Sequence, residues 1–228
     1  MRKRIQNLLR LASLEILVTA IIFLIALFTF SFIVHEALYE REDIFDKKVM
    51  QFFSTHSSQS FIEVMKRVTL LGSTTFLFPA YIVLIAWHIS KKRTQYAIDI
   101  TVIAVSSMSM MYALKQFFHR QRPELPIIKG ISGFSFPSGH ALSSFIFCSI
   151  LMYLVWKGNL QPVTKYILIA LLLLCALTIG LSRVVLNVHY ATDVIGGFCL
   201  GIIWVIISFA ILKKIRKNSA TGNINTIS

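Results

Sequence analysis

Charge is scarce in this chain of 228 residues: Asp, Glu, Lys and Arg make up only 14%, against 56% apolar residues. That balance excludes an ordinary soluble domain, in which about a quarter of the residues are charged. Acids are scarcer still, ten against 23 Lys and Arg. Cysteine is limited to Cys148, Cys175 and Cys199, each inside an apolar segment and none in a CxxC pair. This excludes a disulfide framework or thiolate metal site and leaves the three as small packing residues. The five prolines and ten glycines never gather into a rich stretch. No linker or internal repeat therefore divides the chain, and residues 1–228 read as one domain.

What is present is apolar length. Charge-free runs occupy 16–34, 68–87, 100–114, 141–156, 166–182 and 194–212. A run of about 18 residues suffices to span a bilayer as a helix. The expected fold is all-α, an integral membrane bundle of six transmembrane helices. Runs 100–114 and 141–156 are short for a span, so their helices should extend into the polar residues that flank them.

The net charge of +13 raises the possibility of nucleic acid. Its distribution points instead to a membrane. Basic residues cluster at Arg2, Lys3, Arg4 and Arg10, at Lys91, Lys92 and Arg93, at Lys157 and Lys165, and at Lys213, Lys214, Arg216 and Lys217. These flanks alternate with the spans, and short Lys/Arg-rich loops stay cytoplasmic. Both termini are thus expected inside a multi-pass cell-membrane protein. Basic flanks of this kind also suit anionic headgroups. The first apolar run is too long for a signal-peptide core and no small-x-small site follows it, so it is expected to remain as a span.

Six of the ten acids lie in 35–67, which falls on the extracytoplasmic side. Within it, Ile44, Phe45, Val49, Phe52 and Phe53 recur at helical spacing, with Asp46, Lys47, Lys48 and Gln51 between them. Such an amphipathic helix either lies in the headgroup plane or packs on other helices; its periodicity serves both. In either case it is a candidate wall for a lipid entrance.

Three ordered motifs concentrate ionisable residues at the ends of apolar segments: K-x6-R-P from Lys115 to Pro123, P-S-G-H from Pro137 to His140, and S-R-x5-H-x3-D from Ser182 to Asp193. Ionisable groups at a membrane edge are costly and mark function. Lys115 and Arg122 are seven residues apart, which puts them on one face if the helix continues to Pro123. Two such cations make an anion site, the arginine fork matching phosphate oxygens; alone they would read as snorkelling side chains. His119 and Arg120, within the same run, read as surface residues. Ser135, between the first two motifs, is expected to be accessible from outside.

Ser138 suits a helix N-cap, and the helix start behind it is an anion site of unpaired N–H groups. Gly139 allows close backbone approach. His189 and Asp193, four apart, can meet on one face, so that the carboxylate fixes one ring nitrogen and leaves the other to attack. Asp193 could equally serve as a helix cap. Zinc is the rival explanation for His140, His189 and Asp193. Catalytic zinc usually takes three protein ligands, and the surrounding cations Lys115, Arg122 and Arg183 would repel a metal ion. No metal site and no cofactor are therefore expected. A transporter of lipids or anions is the alternative use of such a cationic site, but it would call for ionisable groups deep in the spans or paired broken helices, and only Asp99 comes near.

The ordered trio, with its spacing intact, resembles the signature of the type-2 phosphatidic acid phosphatase superfamily, and in particular its bacterial lipid phosphatases. The motifs cover 115–193, and the six-helix layout extends the likeness over most of the chain. The resemblance implies a site at the outer membrane face and a metal-independent reaction in two steps. It implies His189 as nucleophile, Asp193 as its orienting partner and His140 as proton donor. It implies that Lys115, Arg122, Ser138, Gly139 and Arg183 bind phosphate. The substrate would be a lipid phosphate such as phosphatidylglycerol phosphate, phosphatidic acid or undecaprenyl diphosphate.

Overall fold

The computed structural model describes residues 2–36 and 44–225, and among them all regular structure is helical. Eight helices follow in order: α1 (Arg2–Val34), α2 (Ile44–His56), α3 (Gln59–Leu70), α4 (Thr74–Ser90), α5 (Thr94–Phe118), α6 (Gly139–Lys157), α7 (Pro162–Val185) and α8 (Ala191–Asn225). Five of them, α1 and α5 to α8, are long and apolar enough to cross a membrane. The expected second span is a bent pair: α3 and α4 meet at 41° and together make the sixth candidate.

The break in that span has a local cause. Leu71 and Gly72 donate N–H groups to Val68 and Thr69 and close α3, while Ser73 caps α4 by accepting the Phe76 N–H. A Cβ at position 72 would lie 2.5 Å from Cγ2 of Ile179 and 3.1 Å from Cδ2 of His140. Glycine lets the break press against α7 and the start of α6.

Helix α6 is central. Ala141, Leu142, Ser144, Ile146, Cys148, Ser149 and Ile150 are buried on several of its faces, as expected of a helix surrounded by others. It packs on α7 and α8, and α8 packs on α1. Ile100 and Ile103 of α5 join Leu142, Ile146, Ile150 and Leu200 in the main apolar cluster. The outward surface of α1 is apolar, with Ile16 and Phe28 exposed, as a lipid-facing helix requires.

One expectation is corrected and one open reading is refined. Helix α5 ends at Phe118, not at Pro123. His119 takes a left-handed conformation (φ 50°) and its N–H bonds to the Lys115 carbonyl, an αL helix end. Arg122 therefore approaches from the link between α5 and α6, not from the helical face of Lys115. The stripe on α2 is also divided. Ile44, Phe45 and Phe52 are exposed, whereas Val49 and Phe53 pack inward on Ala141, Val184, Ala191 and Val194. The fully buried α2 residue is Asp46, which the sequence reading put among the polar spacers. At the opposite end of α5, buried Asp99 pairs with Arg216 of α8 and accepts a hydrogen bond from Gln95.

Candidate active site

The three motifs converge. Lys115 from α5, Arg122 from the α5–α6 link, Gly139 and His140 from the start of α6, Arg183 from the last turn of α7 and His189 from the α7–α8 link all line one cavity of about 420 Å³. Thr69 and Ser73, from either side of the α3–α4 break, complete its wall. The link architecture explains the convergence. The carbonyl of Arg183 accepts the N–H groups of Val188 and His189, and the Ser138 N–H donates to the Asp193 carbonyl. Backbone bonds thus tie the second motif to the third.

His189 is nearly enclosed, 2% exposed. Nη1 of Arg122 lies 3.1 Å from its Nε2. A guanidinium only donates, so Nε2 is the accepting nitrogen and the ring proton resides on Nδ1. That Nδ1–H faces Oδ2 of Asp193 at 3.3 Å. Burial depresses the His189 pKa to about 4, with Arg122 and Lys115 pushing the same way and Asp193 opposing them. The ring is therefore neutral near pH 7, with a lone pair on the nitrogen beside the cavity.

Asp193 is wholly covered and fully engaged. Its Oδ2 accepts from the Ser135 hydroxyl and, at 2.9 Å, from the Tyr190 N–H, so it also caps the start of α8. Its Oδ1 accepts from Nη1 of Arg120 at 2.6 Å. Arg120 is not a surface residue, as the sequence suggested. Its side chain is 9% exposed and bridges Asp193 to Asp46 of α2. Burial disfavours the Arg120 charge, but Asp193 and Asp46 outweigh it and raise the pKa above the ordinary arginine value. Ser135 is likewise fully buried, not accessible.

The cations are held in place. Lys115 Nζ donates to the Phe134 carbonyl at 2.6 Å. Arg122 donates through Nε to the Gly133 carbonyl and through Nη1 to that of Val188. Burial lowers the Arg122 pKa and Asp193 partly offsets it. Arg183 gives Nη1 to Thr69 Oγ1 at 2.7 Å, while its buried Nε has no hydrogen-bond partner among the described residues. A buried unpaired donor of this kind is costly.

Two expected phosphate groups sit differently. Ser138 is fully buried, and its hydroxyl accepts the Ala141 N–H as the cap of α6. It is not part of the cavity wall. Gly139 does reach the wall, but its missing side chain also makes room for α5: a Cβ there would lie 2.9 Å from Sδ of Met111. The sequence reading missed Thr69, Ser73, Ser135, Arg120 and Asp46. One of these carried a signal. Asp46, Val49 and Phe53 follow i, i+3, i+7 spacing, so an acid stands in line with the inward apolar face of α2.

Comparisons with known proteins identify the family and the fold. Residues 96–217 match the PAP2 superfamily. The chain is 29% identical over 157 residues to phosphatidylglycerophosphatase B of Bacillus subtilis (strain 168), covering 68% of this chain and 77% of that one. Its fold matches the crystal structure of a transmembrane PAP2-type phosphatidylglycerolphosphate phosphatase from Bacillus subtilis with a TM-score of 0.73 and 26% identity, over 86% of this chain and 96% of the other. Aquifex aeolicus LpxE shares the fold at a TM-score of 0.54 and 24% identity, over 72% and 93% of the two chains.

Proposed function

The chain belongs to the PAP2 superfamily, and from that membership we propose that it removes the terminal phosphate of a membrane lipid through a phosphohistidine at His189. The observation that carries the reading is the polarity of the His189 ring: proton on Nδ1 toward Asp193, lone pair on Nε2 beside three cations.

In the first step Nε2 attacks phosphorus and the bond to the lipid oxygen breaks. His140, on the same cavity wall, gives its proton to that departing oxygen. Positive charge grows on the His189 ring, and Asp193 stabilises it through Nδ1–H. Lys115, Arg122 and Arg183, all on the cavity wall, neutralise the phosphoryl oxygens. In the second step His140 takes a proton from water, the water oxygen attacks phosphorus, and the N–P bond breaks to release phosphate. Three cations supply the charge stabilisation that a metal ion gives in other phosphatases, so the reaction proceeds without one.

Phosphatidylglycerol phosphate is the first substrate to test, since the curated relative is a phosphatidylglycerophosphatase; phosphatidic acid and undecaprenyl diphosphate are its competitors. The basic cytoplasmic flanks support a cavity at the extracytoplasmic face, with both termini inside. The deciding experiment measures phosphate release from the three lipids in parallel, in detergent with excess EDTA. One lipid should be turned over best, and His189→Ala should release none. Full activity in that variant, or activity that only added metal restores, would overturn the mechanism.

A further inference from the structure

Arg120 occupies one of the unspecified positions of K-x6-R-P and is absent from the cavity wall. It nonetheless pairs with Oδ1 of Asp193, the carboxylate oxygen that does not face His189. Nη1 reaches Asp193 Oδ1 at 2.6 Å and Thr192 Oγ1 at 2.8 Å, and Nη2 reaches Asp46 Oδ2 at 2.8 Å. The guanidinium also lies 4.2 Å from the centroid of the Tyr190 ring. Asp46 in turn accepts the Thr192 N–H at 2.9 Å and the Thr192 hydroxyl at 2.5 Å. The first turn of α2 is thereby fastened to the first turn of α8, where Asp193 stands.

Two buried carboxylates on one guanidinium are an expensive way to hold helices together, since apolar residues of similar volume do it as well. The geometry gives the network a purpose. With Oδ1 taken by Arg120, only Oδ2 is left for His189, Ser135 and Tyr190. The Arg120 carbonyl also accepts the Ser135 N–H at 2.7 Å. Arg120 therefore fixes both the carboxylate and the serine that shares it. Asp46 keeps the guanidinium from turning away.

Resting on the function proposed above, we infer that Arg120 and Asp46 are positioning residues for hydrolysis: α2, through this pair, sets the carboxylate that orients His189. Neither touches the phosphate, so their removal should slow turnover and spare binding.

The test is a double-mutant cycle in the full-length protein in detergent, assayed on phosphatidylglycerol phosphate or whichever lipid is turned over best. Arg120→Gln is expected to lower kcat about 100-fold and Asp46→Asn about tenfold, the scale on which a misplaced reacting group slows catalysis. KM, and the inhibition constant of inorganic phosphate, should stay within about threefold, because uniform binding is untouched. The double variant should be no slower than Arg120→Gln alone, since Asp46 acts through Arg120. Arg120→Lys should recover part of the loss. If Arg120→Gln does not fold, Arg120→Lys replaces it in the cycle with the same expected non-additivity. Losses that multiply, a loss confined to KM, or unchanged kcat would overturn the inference. His189→Ala separates the two readings: if it is inactive while Arg120→Gln turns over normally, only the positioning role fails; if it is fully active, the proposed function fails.

Discussion

Arg122 donates Nη1 to Nε2 of His189 at 3.1 Å while the same nitrogen donates to the Val188 carbonyl at 2.8 Å. One side chain therefore fixes the backbone before the histidine, selects its tautomer and places positive charge beside the nitrogen proposed to attack. Arg122→Ala should lower kcat by about 10²–10³, the usual effect of deleting one preset donor from a charge-stabilising site. Arg122→Lys should restore only part, because an ammonium cannot reproduce the fork. Steady-state phosphate release checks both.

Acid should weaken the protein through His189. Its folded pKa of about 4 lies below the ordinary 6.5, so folding favours the neutral ring. The stability this protects is complete above pH 6.5 and is lost as pH falls from 6.5 toward 4, where the unfolded chain takes up a proton that the folded one refuses. Thermal unfolding in detergent should show Tm falling across that window, and falling less in His189→Gln. An equal fall in both proteins would contradict the assignment.

Ser135 donates to the same Asp193 oxygen that faces His189. Ser135→Ala should lower kcat about tenfold or more, since a hydrogen bond to a charged group contributes about 1.5–3 kcal/mol. Ser135→Thr should retain more activity than Ser135→Ala. Equal activity in serine and alanine forms would show that the hydroxyl does not act on Asp193.

The bend in the second span should be intolerant of side chains. Gly72→Ala places a methyl against the stiff Cγ2 of Ile179 and should destabilise the protein by about 1–3 kcal/mol, the range for overpacked sites. Adding Ile179→Ala should return part of the loss in Tm. Because His140 is the other neighbour, kcat should fall in the single variant as well.

Sidedness is open to labelling. With the three native cysteines replaced, a cysteine at exposed Lys129, in the α5–α6 link, should react with a membrane-impermeant thiol reagent added to intact cells. One at exposed Lys92, between α4 and α5, should react only after lysis. The reverse pattern would invert the topology drawn from the basic flanks.

Much of this was legible in the chain. The apolar runs mark the membrane helices because bilayer length and composition leave few alternatives. The ordered motifs mark the cavity, whose wall carries Lys115, Arg122, Gly139, His140, Arg183 and His189. What escaped were features set by tertiary partners. The end of α5 depends on the left-handed His119, which no spacing rule demands. The burial of Arg120 depends on two acids, 74 and 73 residues away. Ser138 stands at a helix start, where anions bind, but its side chain is fully buried and lies outside the cavity wall, which a capping pattern alone does not announce. Thr69 and Ser73 reach the cavity only because the second span is bent, and a charge-free run does not announce a bend.

Lys115 and Arg122 hold the loop before Pro137 by its carbonyls, those of Gly133 and Phe134 among them. A phosphate drawn to these cations must compete with that loop for the same N–H groups. Arrival of the anion is then an exchange of partners, not a simple gain, and the free product is held only by the difference.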